Sequence, residues 1–403
     1  MVAAARGSRL SRHERAIFAG RLAFDARYVR DSYGGIARFA FCLLSALARS
    51  EERPTLLVYY DPAQVATRFP LAEVLALPNV VARPIGLPLY SPQEQLTWPA
   101  LLRRDHASIY YSPYFALPLA ARLPLVNTVH DLIFEMERGY ERGCWVRYYY
   151  RPMMRLALRR AAAVLSVSEA TKTGLASYYG LAAARVAVVG EAAAEAFRFP
   201  LDETILSETR RRLGLPEPYV LAIGARRPHK NLGAAVRAFA AVQPQIPHWL
   251  VVVGRAEPRY PDEVAAALAE VGAGVRVREL AAVDEADLPA VYAAADALLM
   301  PSLHEGFGLP ALEAMASGTP VVASRCAALA EVVGEAGLLV DVGRPGALAE
   351  ALRRVALDAR LREDLRRRGL ARAAQFSWER SAATALAVFA DVAARGRHSR
   401  VPS

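Results

Sequence analysis

What constrains this chain most is an alternation of short, continuously apolar runs with alanine- and leucine-rich helical stretches. The runs are TLLVYY (55–60), SIYYS (108–112), LVNTVH (125–130) and AVLSVS (163–168), followed by YVLAIG (219–224), WLVVVG (249–254), ALLMPS (297–302) and TPVVAS (319–324). Helical patterns occupy 36–49, 151–163, 232–243, 261–271 and 346–357. A strand that is apolar on both faces must be covered on both faces, and helices between successive strands provide that cover when the strands run parallel. The expected class is therefore α/β. A chain of 403 residues exceeds what one core usually sustains, so two such units are expected. The alternation pauses at FRFPLDETILSETRRRLGLPEPY (197–219), which places the boundary near 190–205.

Charge and cysteine usage narrow the class. The net charge of +10 would suit nucleic acid or an anionic surface, yet it is spread over scattered arginines with no basic block, which argues against a nucleic-acid partner. Only two of the 50 basic residues are lysines, Lys172 and Lys230, so each invites a positional reason. Cys42, Cys144 and Cys326 show neither metal-site nor disulfide spacing, which suggests a reduced, cytoplasmic protein. Arg21 interrupts the apolar AIFAGRLAF, so no leader is expected there, and no apolar run is long enough to span a bilayer.

Ligands of parallel sheets sit beyond the carboxyl ends of strands, so the strand-to-helix junctions are where chemistry is sought. Gly34 and Gly35 open a helix and let backbone N–H groups approach an anion. A strand ends at His130-Asp131, where Asp131 either orients the imidazole or caps the next segment. GARRPHKNL (224–232) delivers Arg226, Arg227, His229 and Lys230 to a helix N-terminus, a phosphate-binding arrangement. In HEGFGLPALE (304–313), Glu305 lies in a loop and Glu313 about one turn into a helix. Two carboxylates could also serve a glycoside hydrolase, but a hydrolase has no use for the basic loop.

Taken together, HEGFGLPALEAMASGTPVVAS, GGIARF, VNTVHDLIF, VLSVSEATK, GARRPHKNL and FSWERSA resemble the retaining family 4 glycosyltransferases, in the family's order along the chain. The resemblance implies a GT-B architecture: two Rossmann-like domains facing across a cleft, 1–195 on the acceptor side and 203–379 on the nucleotide-sugar side, with a final helix near 380–400 crossing back. It implies catalytic roles for His130, Lys230 and Glu305. Donor contacts would come from Gly34, Gly35, Arg226, Lys230, Glu305, Gly306, Phe307, Gly308, Leu309 and Glu313, with Glu313 on the ribose. Two departures stand out: Ala225 where many relatives have arginine, and His229 where others have arginine before the lysine, which would make phosphate contact there weaker or pH-dependent.

The implied reaction moves a hexose from a nucleotide-diphosphate sugar, GDP-mannose first, to a glycan or lipid-linked acceptor in polysaccharide or glycoconjugate synthesis. It implies no metal and no cofactor beyond the co-substrate. A non-catalytic nucleotide-sugar-binding protein is the alternative. The stretch ERGCWVRYYYRPMMRLALRRAAA (141–163) reads either as an ordinary helix with an arginine surface or as a peripheral contact with an anionic membrane.

Overall fold

The computed structural model describes residues 18, 20–137, 145–198 and 200–398. Two parallel sheets organise them. The first contains β1 (Arg21–Asp25), β2 (Thr55–Tyr60), β3 (Val80–Pro84), β4 (Ile109–Ser112), β5 (Leu125–Val129), β6 (Ala163–Ser166) and β7 (Val186–Val188). Their order is β3-β2-β1-β4-β5-β6-β7. The second contains β8 (Tyr219–Ile223), β9 (Trp249–Val253), β10 (Val277–Leu280), β11 (Ala297–Met300), β12 (Val321–Ser324) and β13 (Leu338–Val340), ordered β10-β9-β8-β11-β12-β13. In each sheet the order reverses beside its first strand. That leaves a crevice between β1 and β4, and another between β8 and β11, where ligands of such sheets bind.

All eight apolar runs became strands, several a residue or two shorter at their ends. The strand at the reversal of the first sheet, β1, was not among them. It pairs with both β2 and β4, with Phe24 opposite Val58 and Tyr111. The first helix begins at Gly34, two residues earlier than the pattern suggested, and runs to Arg49.

The period-2 alternation of the strands divides each sheet between two apolar layers. In the first sheet, Leu22, Phe24, Leu56, Val58 and Tyr111 face the Gly34–Arg49 helix, whereas Ala23, Leu57, Tyr59 and Tyr110 face Trp98, Leu102 and Leu158. In the second, Val220, Ala222, Leu250 and Val252 pack on the helices Leu232–Val242 and Ala347–Leu357. Tyr219, Leu221 and Val251, from the other face, belong to the same continuous cluster as Phe24 and Phe39 of the first sheet. The core thus runs from one sheet to the other without a break.

The last helix, Trp378–His398, leaves the second unit and packs on the first helix of the chain. Trp378 lies edge-on to Phe39 at 5.8 Å, and Phe389 edge-on to Tyr111 at 5.3 Å and Phe18 at 6.4 Å. Among the described residues, no helix is long and apolar enough to cross a membrane. The Arg151–Arg160 helix turns Met154, Ala157 and Leu158 inward. Trp145 and Tyr149 before it pack on Tyr90, at 5.6 and 5.5 Å, and Tyr150 is buried, whereas Tyr148 is exposed. Its first part, with Cys144, lies outside the described residues; Cys42 and Cys326 are free thiols.

Candidate active site

The carboxyl ends of β8 and β11 lead into the two loops that matter most. Beyond β8 the chain passes Gly224 at φ +157 and makes a short turn, Pro228–Lys230, before its helix. Beyond β11 it reaches Glu305. Lys230 donates to both oxygens of Glu305, at 2.8 and 2.9 Å, across 75 residues of sequence. The pair is mostly shielded, with side chains 18% and 7% exposed, so water weakens it little. A Cβ on Gly224 would meet the Lys230 methylenes only at an ordinary 3.5 to 3.8 Å, so it is the positive φ, not space, that favours glycine there.

The other members of the basic loop have partners of their own. Arg226 is committed to its own unit: it donates to Gly254 O at 3.0 Å and Asp262 at 2.8 Å, and it pairs with Glu279. Those acids neutralise the guanidinium that was expected on phosphate. Arg227 pairs with Glu257 at 2.6 Å and lies within electrostatic reach of Tyr114 and His229 at the interdomain face. His229 is buried, and burial followed by the charges of Lys230 and Arg227 pushes its pKa down to about 3. It is neutral at ordinary pH, which fits the weaker of the two phosphate contacts considered for it, weaker or pH-dependent.

His130 closes β5 from the opposite sheet and is buried. Its Nε2 lies 2.8 Å from Pro113 O, which can only accept, so Nε2 carries the proton; Nδ1 is 3.7 Å from Glu191. Phe39 meets the ring edge-on at 4.7 Å. These contacts orient the imidazole. Asp131 instead caps the next turn, accepting from Ile133 N at 3.1 Å, and burial raises its pKa beside Glu305 and Lys230.

The Gly-Phe-Gly loop serves the junction between the units. Gly306 O accepts from Ser168 Oγ at 2.6 Å and from Thr171 Oγ1 at 3.3 Å. A Cβ on Gly306 would stand 2.1 Å from His130 O, so only glycine lets these two backbones meet. The Phe307 ring is buried against Phe376, which fixes the loop whose backbone N–H groups were expected near the donor. Gly308, at φ +107, precedes the helix Leu309–Ala316, with Pro310 in its first turn. Gly34, at φ +45, and Gly35 have open space where a Cβ would lie, leaving the start of the first helix accessible.

Glu313 is only 3% exposed and both its oxygens are engaged. One accepts from Arg38 of the first helix, 275 residues away, and the other from Tyr292 Oη at 3.0 Å. Burial pushes its carboxyl up to about 7 against the pull of Arg38. The expected simple grip on a ribose thus sits within an interdomain network. Arg38, Glu191 and Tyr292 escaped the sequence reading; the one signal for Arg38 was a charge on the apolar face of GGIARFAFCLL.

Comparison with known proteins decides the family. The description Glycosyltransferase Family 4 matches residues 33–191, and Glycosyl transferases group 1 matches 207–372. The O-antigen chain mannosyltransferase B of Escherichia coli is 32% identical over 279 residues, covering 68% of this chain and 72% of that protein. The chain is a family 4 glycosyltransferase. A D-inositol 3-phosphate glycosyltransferase of Corynebacterium glutamicum is 31% identical, with 68% of each chain covered. Two solved structures share the glycosyltransferase's fold. Sucrose-phosphate synthase from Thermosynechococcus elongatus has a TM-score of 0.72 at 23% identity, covering 95% of this chain and all of that one. Anabaena HepE, in complex with UDP and glucose, has a TM-score of 0.68 at 22% identity, covering 94% and 100%. These place the two sheets in the GT-B architecture.

Proposed function

We propose that this glycosyltransferase moves a hexose, with retention, from a nucleotide-diphosphate sugar to a glycan or lipid-linked acceptor. GDP-mannose is the first donor to test, a choice supported by the mannosyltransferase named among its relatives. The observation that carries the reading is the Lys230–Glu305 pair at the reversal of the second sheet, facing His130 and Asp131 of the first.

In this reading the bond between the sugar C1 and the diphosphate oxygen breaks as C1 bonds to the acceptor oxygen on the same face. The acceptor's hydroxyl proton passes to the departing phosphate oxygen, which balances the step without a protein nucleophile. Lys230, Arg227 and the open helix start at Gly34–Gly35 supply positive potential where the leaving charge grows, without a metal ion or resident cofactor. Glu305 holds the lysine now and would share it with phosphate, while accepting from donor hydroxyls. His130, held by Pro113 O, would lie over the reacting sugar, and Glu313 would meet the ribose. The acceptor belongs to the first unit, and contact with an anionic membrane through the outward Arg147, Tyr148, Arg155 and Arg159 is part of the proposal.

Hydrolysis and transfer assays with UDP-, GDP- and ADP-linked sugars test it. Lys230→Ala is expected to lower kcat about 100-fold, the size of losing one charge-stabilising group, while the far-ultraviolet circular dichroism stays unchanged. Near-wild-type turnover by that variant would remove the phosphate assignment.

A further inference from the structure

The carboxylate assigned to ribose depends on a cation from the other domain. Arg38 stands one turn into the first helix, past the Gly34–Gly35 turn, and is 8% exposed. It reaches over the junction to donate to Glu313 and, through Nη2, to Glu285 at 2.6 Å. Tyr292 holds the other Glu313 oxygen. The ring of Phe197, beside the link between the units, lies 5.8 Å from the guanidinium carbon and 5.8 Å from the Tyr292 ring. Two further titratable groups face the cluster: Glu191, and Cys42 one turn along the first helix, whose thiol burial pushes up to about 12.

The geometry points to Arg38 as a positioning residue for donor binding, one that draws Glu313 toward its ionised form, aims it at the ribose hydroxyls and makes that grip depend on the two domains being together. This rests on the ribose assignment of Glu313. A carboxyl so deeply buried protonates unless a cation stands beside it. Once protonated it loses acceptor capacity and offers its own hydrogen instead. The planar guanidinium fork answers two acids on two different segments, the loop carrying Glu285 and the helix carrying Glu313, which a lysine ammonium does less well. Because the fork belongs to the first helix, separating the domains would leave Glu313 without its cation.

The test is calorimetric titration from pH 6 to 9.5 with UDP, GDP and ADP, following whichever nucleoside diphosphate binds the wild-type protein most tightly. Arg38→Met is expected to bind at least ten-fold more weakly at pH 7 and to recover as the pH is raised, its affinity midpoint displaced alkaline by about one pH unit or more. Arg38→Lys should recover part of the affinity at neutral pH. Wild-type affinity at every pH, or a loss of the same factor at every pH, would overturn the inference. Glu313→Gln separates the two levels. If it binds as wild type, the ribose reading falls and takes the inference with it. If it binds weakly while Arg38→Met does not, the inference alone falls. Should Arg38→Met fail to fold, Glu285→Gln carries the same question: with the guanidinium left to Glu313 alone, tight binding should extend to lower pH, and an unchanged profile would overturn the role.

Discussion

Two buried side chains near the loops after β8 and β11 respond to acid in opposite senses. The pKa of His229 is depressed to about 3 in the fold, so the unfolded chain takes up the proton first. Its contribution to stability is present above its unfolded pKa of about 6.5 and is lost as pH falls below it, by at most about 1.4 kcal/mol per pH unit. Glu313 runs the other way. Its carboxyl is raised to about 7, so its contribution is present below its unfolded pKa and is lost as pH rises through 7. His229→Asn should therefore flatten the fall of the melting temperature between pH 6.5 and 5, and Glu313→Gln should flatten the change between pH 5 and 7.5, both read by differential scanning fluorimetry. The residue types of the site were legible in the chain; their partners were not. Lys230 and Glu305 were both singled out, but their ion pair joins positions 75 apart, and Arg38 meets Glu313 over 275. The acids that pair with Arg226 were equally hidden: a basic loop is visible in sequence, whereas Asp262 and Glu279 arrive from other segments.

At the scale of elements, long apolar strands announced themselves and short or mixed ones did not. RLAFD, the β1 strand, has only three apolar residues between an arginine and an aspartate, yet β2 and β4 both pair with it. VREL, the β10 strand, lies at a sheet edge with Arg278 and Glu279 exposed, and β7 and β13 are three residues each. Such strands take their conformation from neighbours already in place. The loop before the helix Leu309–Ala316 is explained by fit rather than by its own sequence. Adding one methyl at Gly306 would place it 2.1 Å from a backbone oxygen of the facing unit, and neither backbone can step aside cheaply. Gly306→Ala should thus lower kcat by about 100-fold through displacement of the Glu305 loop by about 1 Å, while circular dichroism stays native. Normal turnover would show that the approach of the two backbones is dispensable.

For the whole molecule, the connections between the sheets are of several kinds. Glu331 of the second unit accepts from Glu169 N at 3.0 Å and Ala170 N at 3.1 Å, capping a helix of the first with its carboxylate. Ser168 and Thr171 bind Gly306 O near the same helix start, and Arg38 joins the acids on the far side. The crossing helix Trp378–His398 completes the first core. Phe389 is fully buried against Phe18 and Tyr111, so Phe389→Ala should cost about 3–5 kcal/mol in denaturant unfolding of the first unit. A loss below about 1 kcal/mol would mean that the first sheet is complete without the helix.

That helix also fixes an order of assembly. The strands of the first sheet leave the ribosome early, but the surface around Phe39 and Tyr111 stays uncovered until residues 378–398 have been made. At ordinary rates of synthesis this interval is roughly 10–40 s. The second sheet, entirely encoded within it, can form first. The half of the molecule translated first is then the last to be finished, and its waiting apolar face is where a chaperone would be needed.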